Sequence, residues 1–108
     1  MKALATEREY ESTIIDAARI GGWMIHAERP ARTATSWRTA IRGDVGWPDL
    51  FLAHPTRGAM ALELKRRPNK PTTAQRVWLM MLVGAGIDAR LVFVPDELDD
   101  LCAELVTA

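Results

Sequence analysis

With 108 residues, the chain can bury one hydrophobic core but not two, so we expect a single domain over residues 1–108. No apolar run reaches membrane-spanning length, and the acids near the start exclude the basic-then-apolar order of a signal peptide. We therefore expect a cytoplasmic protein with no membrane partner. A single cysteine, Cys102, excludes an internal disulfide and cannot form a zinc site by itself.

The formal net charge is zero, because 14 basic residues balance 14 acidic ones, so the total charge gives no reason to expect nucleic acid. The distribution is uneven, however. Residues 29–76 hold ten basic residues and three acids, a segment charge of +7, whereas residues 77–108 hold six acids and Arg90 alone. This pattern favours a nucleic-acid-binding face with an acidic back, since Lys and Arg displace counterions from phosphates. The alternative is a solvated basic loop.

The first predicted elements are a helix and a short strand. Apolar residues recur at helical spacing over residues 6–20, and Gly21 and Gly22 end the pattern. Residues 23–27 are a short apolar run that predicts the first strand. Residues 28–45 show neither period, which predicts a long loop.

A hairpin is predicted next, with strands over residues 48–54 and 59–65 and a turn over residues 54–58. Side chains alternate between the faces of a strand, so Glu63 and Lys65 share one face and Leu64 points to the other. If the two strands pair as a hairpin, Asp49 lies beside Glu63.

The second half of the chain adds a helix, a strand and a last helix. After a basic loop at residues 66–71, the Thr72-x-x-Gln75 capping box predicts a helix that ends near residue 84 or 86. Residues 89–94 predict a buried strand, parallel to the third strand because a helix links them in a right-handed crossover. Pro95 then opens the last helix. The apolar stripe of the middle helix is Val77, Trp78, Met81, Leu82 and Ala85, and that of the last helix is Leu98, Leu101, Cys102 and Leu105.

The predicted fold class is therefore α/β, with the order αβββαβα and a central mixed four-stranded sheet flanked by helices. Within it, Asp49 and Glu63 would bring two carboxylates together on neighbouring strands, with the backbone carbonyl of Leu64 between them. Hard oxygen ligands of this kind suit Mg²⁺ or Mn²⁺, and Lys65 could hold a phosphate or a water beside them. The alternative is a solvent-facing Glu63–Lys65 pair on an edge strand, worth less than about 1 kcal/mol.

These motifs, in this order, resemble the virus-type replication-repair nuclease (VRR-NUC) domain of the PD-(D/E)XK superfamily, in a stand-alone, minimal form. The resemblance runs nearly end to end. The motifs that carry it are Glu11 followed by Gly22-Trp23, Gly46-x-Pro48-Asp49-Leu50, Glu63-Leu64-Lys65, and Thr72-x-x-Gln75-x-x-Trp78.

The resemblance implies a restriction-endonuclease-like core and a Mg²⁺- or Mn²⁺-dependent phosphodiesterase. Asp49 and Glu63 would be metal ligands, with Glu11 as a further possible ligand, and Lys65 would lie beside the attacking water. Glu11 and Gln75 would complete the polar cluster. Two alternatives stay open: Glu7 or Glu9 could take the role of Glu11 on the first helix, and Gln75 could serve only as a helix cap.

We expect the basic residues around this site to contact DNA; they are Arg38, Arg42, Arg66, Arg67, Lys70 and Arg76. Trp23 and Trp78 sit in apolar patterns and are predicted to be core residues. Trp37 and Trp47 could instead stack on bases, or cover the edge of the core.

The expected function is a structure-selective endonuclease for branched DNA, resembling a Holliday-junction resolvase, with 5′-phosphate and 3′-hydroxyl products. A flap or splayed-arm nuclease with the same site is the alternative enzyme. A catalytically silent nucleic-acid-binding module, or a subunit that needs a replication or repair partner, is the alternative of another class. A two-fold junction would suit a homodimer, which is the oligomer we expect.

Overall fold

The computed structural model of the protein describes residues 6–27, 31–32, 37–38 and 42–107, with the backbone alone described for 31–32 and 37–38. Its helices are α1 (Glu7–Ile20), α2 (Thr73–Gly84) and α3 (Leu98–Val106). Its strands are β1 (Met24–Ala27), β2 (Ala31–Arg32), β3 (Trp37–Arg38), β4 (Leu50–His54), β5 (Gly58–Lys65) and β6 (Asp88–Phe93). None of the helices in the described part of the chain is long and apolar enough to span a membrane.

The main sheet has four strands in the order β1-β4-β5-β6. β1 pairs with β4 and β4 with β5 in antiparallel fashion, while β5 and β6 are parallel. The predicted mixed sheet flanked by helices is confirmed. Residues 28–45 contain an addition that the sequence did not predict, because β2 and β3 form a separate antiparallel ribbon within the segment interpreted as a loop.

The hydrophobic core lies on one face of this sheet, beneath α1 and α3. Alternate residues of β5, such as Leu62 and Leu64, join Ile14 of α1 and Leu105 of α3 in one buried cluster. Trp23 is 4% exposed, and its indole nitrogen donates to the Leu105 carbonyl over 3.1 Å, which confirms it as a core residue. Because successive side chains of a strand point to opposite faces, Glu63 and Lys65, which alternate with these leucines, lie on the other face of the sheet.

The other face of the sheet is only partly covered by α2. Trp78 and Leu82 are half-buried, but no residue of α2 is fully buried. Three of the five members of the predicted apolar stripe are exposed, namely Val77 (52%), Met81 (66%) and Ala85, so the stripe does not mark the buried side of α2. The helix is apolar around most of its circumference, and such a pattern does not identify the inward side.

β6 also differs from its prediction as a buried strand. It lies at the edge of the sheet, beyond β5, and only Val92 within it is fully buried. A β-branched run fits an edge strand as well as a central one, because β-propensity reflects side-chain packing on a half-buried surface. Among the described residues, no strand pairs with the outer side of β6.

Arg57 is one of the ten basic residues of the 29–76 segment, yet it has a structural role. Its guanidinium donates to the backbone carbonyls of Glu104, over 3.0 Å, and Leu105, over 3.3 Å, at the end of α3, and it lies 4.8 Å from the Trp23 ring. The last carbonyls of a helix have no partner within the helix, so this side chain caps α3. The charge of Arg57 therefore serves the end of α3.

Candidate active site

The hairpin of β4 and β5 brings Asp49 and Glu63 together. Leu50 pairs with Leu62, so Asp49, one residue before β4, continues the register opposite Glu63. The backbone N–H of Leu64 donates to Asp49 Oδ2 over 2.8 Å and fixes the carboxylate at the start of the strand. The geometry predicted from the spacing of the two acids is therefore present.

Lys65 lies beside the same carboxylates. Its Nζ is 3.6 Å from Glu63 Oε2, as the alternation along β5 requires. The Lys65 side chain is 17% exposed and the Glu63 side chain 2% exposed, so the pair is not the solvent-facing edge pair of the alternative interpretation. We refer to Asp49, Glu63 and Lys65 as the β4–β5 cluster.

The second oxygen of Glu63 is an unusual feature of the cluster. Glu63 Oε1 is buried and has no hydrogen-bond partner among the residues that the structure describes. Most buried polar atoms have a partner, because a buried unpaired acceptor costs about 1–3 kcal/mol. An oxygen kept in this state is suited to binding a cation.

The electrostatic surroundings of Glu63 disfavour its negative charge. Burial raises the pKa of its carboxyl from the ordinary value of 4.5 to about 8; the negative charge of Asp49 and hydrogen bonding of the protonated carboxyl with Asp49 add to the increase, while Lys65 opposes it. Two carboxylates in contact repel each other unless a proton or a cation lies between them. A divalent cation would therefore relieve the repulsion and ionise Glu63.

The cluster fits a hard divalent cation through its two carboxylates. Asp49 uses Oδ2 for the Leu64 N–H, which leaves Oδ1, and Glu63 offers the unpartnered Oε1. Within the described part of the chain, no group of three His, Cys, Asp or Glu side chains is close enough to form a complete protein site. Mg²⁺ commonly binds through one or two carboxylates and takes its other ligands from water and phosphate. The predicted role of the Leu64 carbonyl stays a prediction.

A third acid, Glu7 of α1, interacts electrostatically with the cluster. The pKa of Glu7 is raised, first by partial burial and then by the charge of Asp49, while Lys65 and Arg66 lower it. Glu7 is one turn before Glu11, the acid chosen from the sequence, and residues four apart share a helix face. Glu11 is half-buried on that face, and its predicted role stays a prediction. Glu9 is engaged in the capping box with Thr6.

Gln75 forms the capping box that the sequence predicts. Its side-chain oxygen accepts from the Thr72 N–H over 2.8 Å, and the Thr72 hydroxyl accepts from the Gln75 N–H over 3.1 Å. Gly46 packs against this helix start at a φ of +103°, where a Cβ would lie 2.6 Å from the backbone of Ala74. The Gly46-x-Pro48-Asp49 loop and α2 are thereby fixed together, while a catalytic role for Gln75 stays a prediction.

The loop tryptophan Trp47 covers the edge of the sheet. Its ring centroid is 5.6 Å from that of Phe51 and 5.0 Å from that of Trp78. These contacts favour the core-edge interpretation over base stacking. Trp78 also donates from its indole nitrogen to the Asp44 carbonyl over 3.3 Å. The side chain of Trp37 lies outside the described residues.

The predicted DNA-contacting residues differ in their exposure and in their contacts. Arg42, Lys70 and Arg76 are exposed, while Arg66 is half-buried with its guanidinium 5.9 Å from the Tyr10 ring. Arg67 is exposed, lies 4.0 Å from the Phe93 ring and pairs with Asp96. The side chain of Arg38 is outside the described part of the chain.

A solved structure described as a "VRR_NUC domain" has the same architecture. It matches this chain with a TM-score of 0.68 over 92% of this chain and 97% of its own, at 20% sequence identity. The chain has the VRR-NUC fold. No protein-family model and no curated protein matches the sequence. The VRR-NUC fold confirms the restriction-endonuclease-like α/β class predicted above, and a likeness at this identity concerns the fold alone.

Proposed function

We propose that the protein is a Mg²⁺- or Mn²⁺-dependent nuclease that hydrolyses phosphodiester bonds in DNA. The observation that carries this proposal is that Asp49 and Lys65 lie beside Glu63, whose buried Oε1 has no hydrogen-bond partner among the described residues. A purely structural Glu63–Lys65 pair would not need a second acid or leave Glu63 Oε1 without a partner. The VRR-NUC fold, shared with a domain whose name denotes a nuclease, supports the same proposal.

The chemistry of the cluster matches the needs of phosphodiester hydrolysis. The phosphodiester charge repels nucleophiles, so the site must supply positive charge where negative charge develops. A divalent cation held by Asp49 and Glu63 would neutralise a phosphate oxygen and favour ionisation of water. The ammonium of Lys65 adds a second positive charge at the same point, where it can hold the phosphate or orient the water. Glu7 can accept a hydrogen bond from water at the edge of the cluster.

We propose branched DNA, such as a four-way junction, as the preferred substrate. The exposed Arg42, Lys70 and Arg76, with Arg67 beside them in the chain, offer contacts to phosphates and not to base edges. Such contacts respond to the shape of the DNA backbone more than to its sequence. A flap or splayed-arm nuclease with the same cluster is the second candidate. A cytoplasmic location and a replication or repair partner belong to the same proposal.

A panel of end-labelled DNAs tests this function. We expect purified protein with Mn²⁺ to cleave a four-way junction or a flap faster than the matched linear duplex, and EDTA to stop cleavage. Binding of the junction without cleavage under every metal condition would instead identify a silent binding module. Co-purification of a replication or repair protein that restores cleavage would identify a dependent subunit.

We also propose that two copies of the chain form a homodimer through α2. An apolar surface that we call the α2 apolar face consists of Val45, Val77 and Met81, which are 52–66% exposed and line a groove of about 440 Å³. Residues 77–87 contain no charged side chain, and the charged residue among those lining this groove is Asp44 at its margin, so two copies of the helix itself can meet without charge repulsion. Exposed apolar patches of this kind commonly mark protein interfaces.

The dimer proposal gives a direct expectation for Met81→Asp. A carboxylate at the α2 apolar face would be buried twice across a two-fold interface, which is strongly unfavourable without a partner cation. We expect light scattering after gel filtration to give a dimer mass for the wild type and a monomer mass for Met81→Asp. Met24→Asp is the matched control, because Met24 is an 80% exposed methionine on β1. A monomeric wild type, or equal loss of dimer in both variants, would contradict the interface.

A further inference from the structure

A second groove lies beside the β4–β5 cluster, between α2 and the open edge strand β6. Its volume is about 510 Å³, within the range of small-ligand sites. We call it the β6 groove. Its lining includes the apolar side chains Leu79, Met80, Leu91 and Phe93 and the basic side chains Lys70 and Arg76. No acidic side chain is among the described residues that line it.

The β6 groove is one strand away from the proposed catalytic cluster. In the parallel pairing of β5 with β6, Glu63 is the register partner of Leu91, and Lys65 that of Phe93. Paired residues of neighbouring strands project from the same face of a sheet, and neighbouring strands are about 4.8 Å apart. The apolar floor of the groove thus begins one strand spacing from Glu63 and Lys65.

The basic end of the groove matches the charge of a phosphate. Lys70 and Arg76 are exposed at this end, and Arg76 is steadied by a 3.4 Å hydrogen bond from its Nε to the Pro71 carbonyl. Arg67 lies next to the groove, with its guanidinium 4.0 Å from the Phe93 ring and its charge paired with Asp96. A guanidinium held on an aromatic ring is a flat surface on which a base can stack.

The apolar floor of the β6 groove favours an unpaired nucleotide over a duplex as its ligand. Within a duplex the bases are stacked on one another, and a protein that meets only the backbone needs cations but no apolar surface. An unpaired nucleotide presents both a phosphate and a free base face, and such bases are recognised by stacking on aromatic or guanidinium surfaces. The β6 groove offers both features within one cavity.

We propose that the β6 groove binds an unpaired nucleotide of the DNA strand next to the scissile phosphate. Its base would lie against Met80 and Phe93, and its phosphate would lie near Lys70 and Arg76. This inference rests on the proposed nuclease function and deepens it, because among branched DNAs it favours the flap or splayed-arm substrate, which carries a single-stranded segment at the branch, over the fully paired four-way junction. A fully paired duplex would contact the β4–β5 cluster and leave the β6 groove empty.

Fluorescence anisotropy in EDTA tests this inference without cleavage. The probes are one labelled duplex with a short unpaired arm and the same duplex with blunt ends. We expect the wild type to bind the armed DNA about tenfold more tightly, which is within the free energy of stacking one base. We expect Met80→Asn to lose most of this preference while the affinity for blunt duplex changes much less, and Arg76→Ala, which removes a proposed phosphate contact, to weaken the binding of both DNAs.

Two matched variants complete the test. Arg19→Ala removes an exposed arginine from the last turn of α1, and Met24→Asn alters an exposed methionine of β1; both should keep the tenfold preference. Equal binding of both DNAs by the wild type would overturn the inference, as would equal weakening of both DNAs by Met80→Asn. A change of oligomer mass in Met80→Asn with unchanged DNA binding would assign the groove to a protein contact and would also overturn it.

Failure of the groove proposal can be distinguished from failure of the proposed nuclease function. Loss of the nuclease proposal would appear as absence of cleavage with Mn²⁺ in every DNA tested, whatever the anisotropy shows. Loss of the groove proposal would appear as equal affinity for armed and blunt DNA, whatever the cleavage assay shows.

Discussion

Asp49→Asn is expected to reduce metal-dependent DNA cleavage by about 100-fold or more, because it removes one of the two carboxylates that face the same point. Asparagine has the same shape and keeps an oxygen acceptor for the Leu64 N–H, which is 2.8 Å from Asp49 Oδ2. The fold should therefore be retained. Relief of the repulsion between Asp49 and Glu63 should leave the thermal midpoint unchanged or higher.

Asp44→Asn is the matched control for this prediction. Asp44 is exposed in the same loop, five positions earlier, and its backbone carbonyl, which accepts from Trp78, is unchanged by the substitution. We expect cleavage within about twofold of wild type for this variant, as for a surface substitution away from the site. Comparable losses in both variants would indicate a general effect of loop charge and would contradict a ligand role for Asp49.

In EDTA, the stability of the protein is expected to fall as the pH rises from about 5 to 8. The pKa of Glu63 is about 8 in the folded protein against an ordinary value of 4.5, so the folded state holds one more proton than the unfolded state in this range. Unfolding then releases a proton, and the free energy of unfolding decreases by about 1.4 kcal/mol for each pH unit. Glu7, whose pKa is also raised, contributes with the same sign.

Urea denaturation at several pH values measures this slope. Glu63→Gln cannot titrate and should lose most of it, and the variant should be more stable than wild type at pH 8. Mn²⁺ should stabilise the wild type at pH 8 by about 2.7 kcal/mol at a hundredfold excess over its Kd, and should stabilise Glu63→Gln much less. An equal slope in both proteins, or equal stabilisation by Mn²⁺, would contradict the assignment of Glu63 as a buried cation ligand.

The position of the β4–β5 cluster could be predicted from the sequence because it depends on local rules. A two-residue period along β5 places Glu63 and Lys65 on one face, and the short turn before β5 sets the register that brings Asp49 opposite Glu63. The capping boxes of α1 and α2 are equally local. These features require only neighbouring residues to be formed.

Features that depend on distant packing were predicted less well. α2 is apolar around most of its circumference, so its period could not show that Val77 and Met81 would remain exposed. A crossover helix implies that β6 lies beside β5, but it does not show whether another strand lies further out. The short strands of the β2–β3 ribbon, Ala31–Arg32 and Trp37–Arg38, are too brief to show an alternating pattern.

The choice between acids of α1 illustrates the same limit within the site. Glu7 and Glu11 lie four residues apart on one helix face, so the apolar pattern of α1 favours neither. The direction in which α1 crosses the sheet decides which turn approaches Asp49, and this direction depends on α3 and the core. The charge of Asp49 raises the pKa of Glu7, in the first turn, while the role predicted for Glu11 stays a prediction.

The most direct test of the proposed nuclease is single-turnover cleavage of one labelled branched DNA by the wild type and by Lys65→Ala, with Mn²⁺ and with EDTA. We predict that the wild type releases products with 5′-phosphate and 3′-hydroxyl ends only with Mn²⁺, and that Lys65→Ala is slower by about 100-fold or more. Equal rates for the two proteins, or an intact substrate after incubation of the wild type with Mn²⁺, would contradict the proposal.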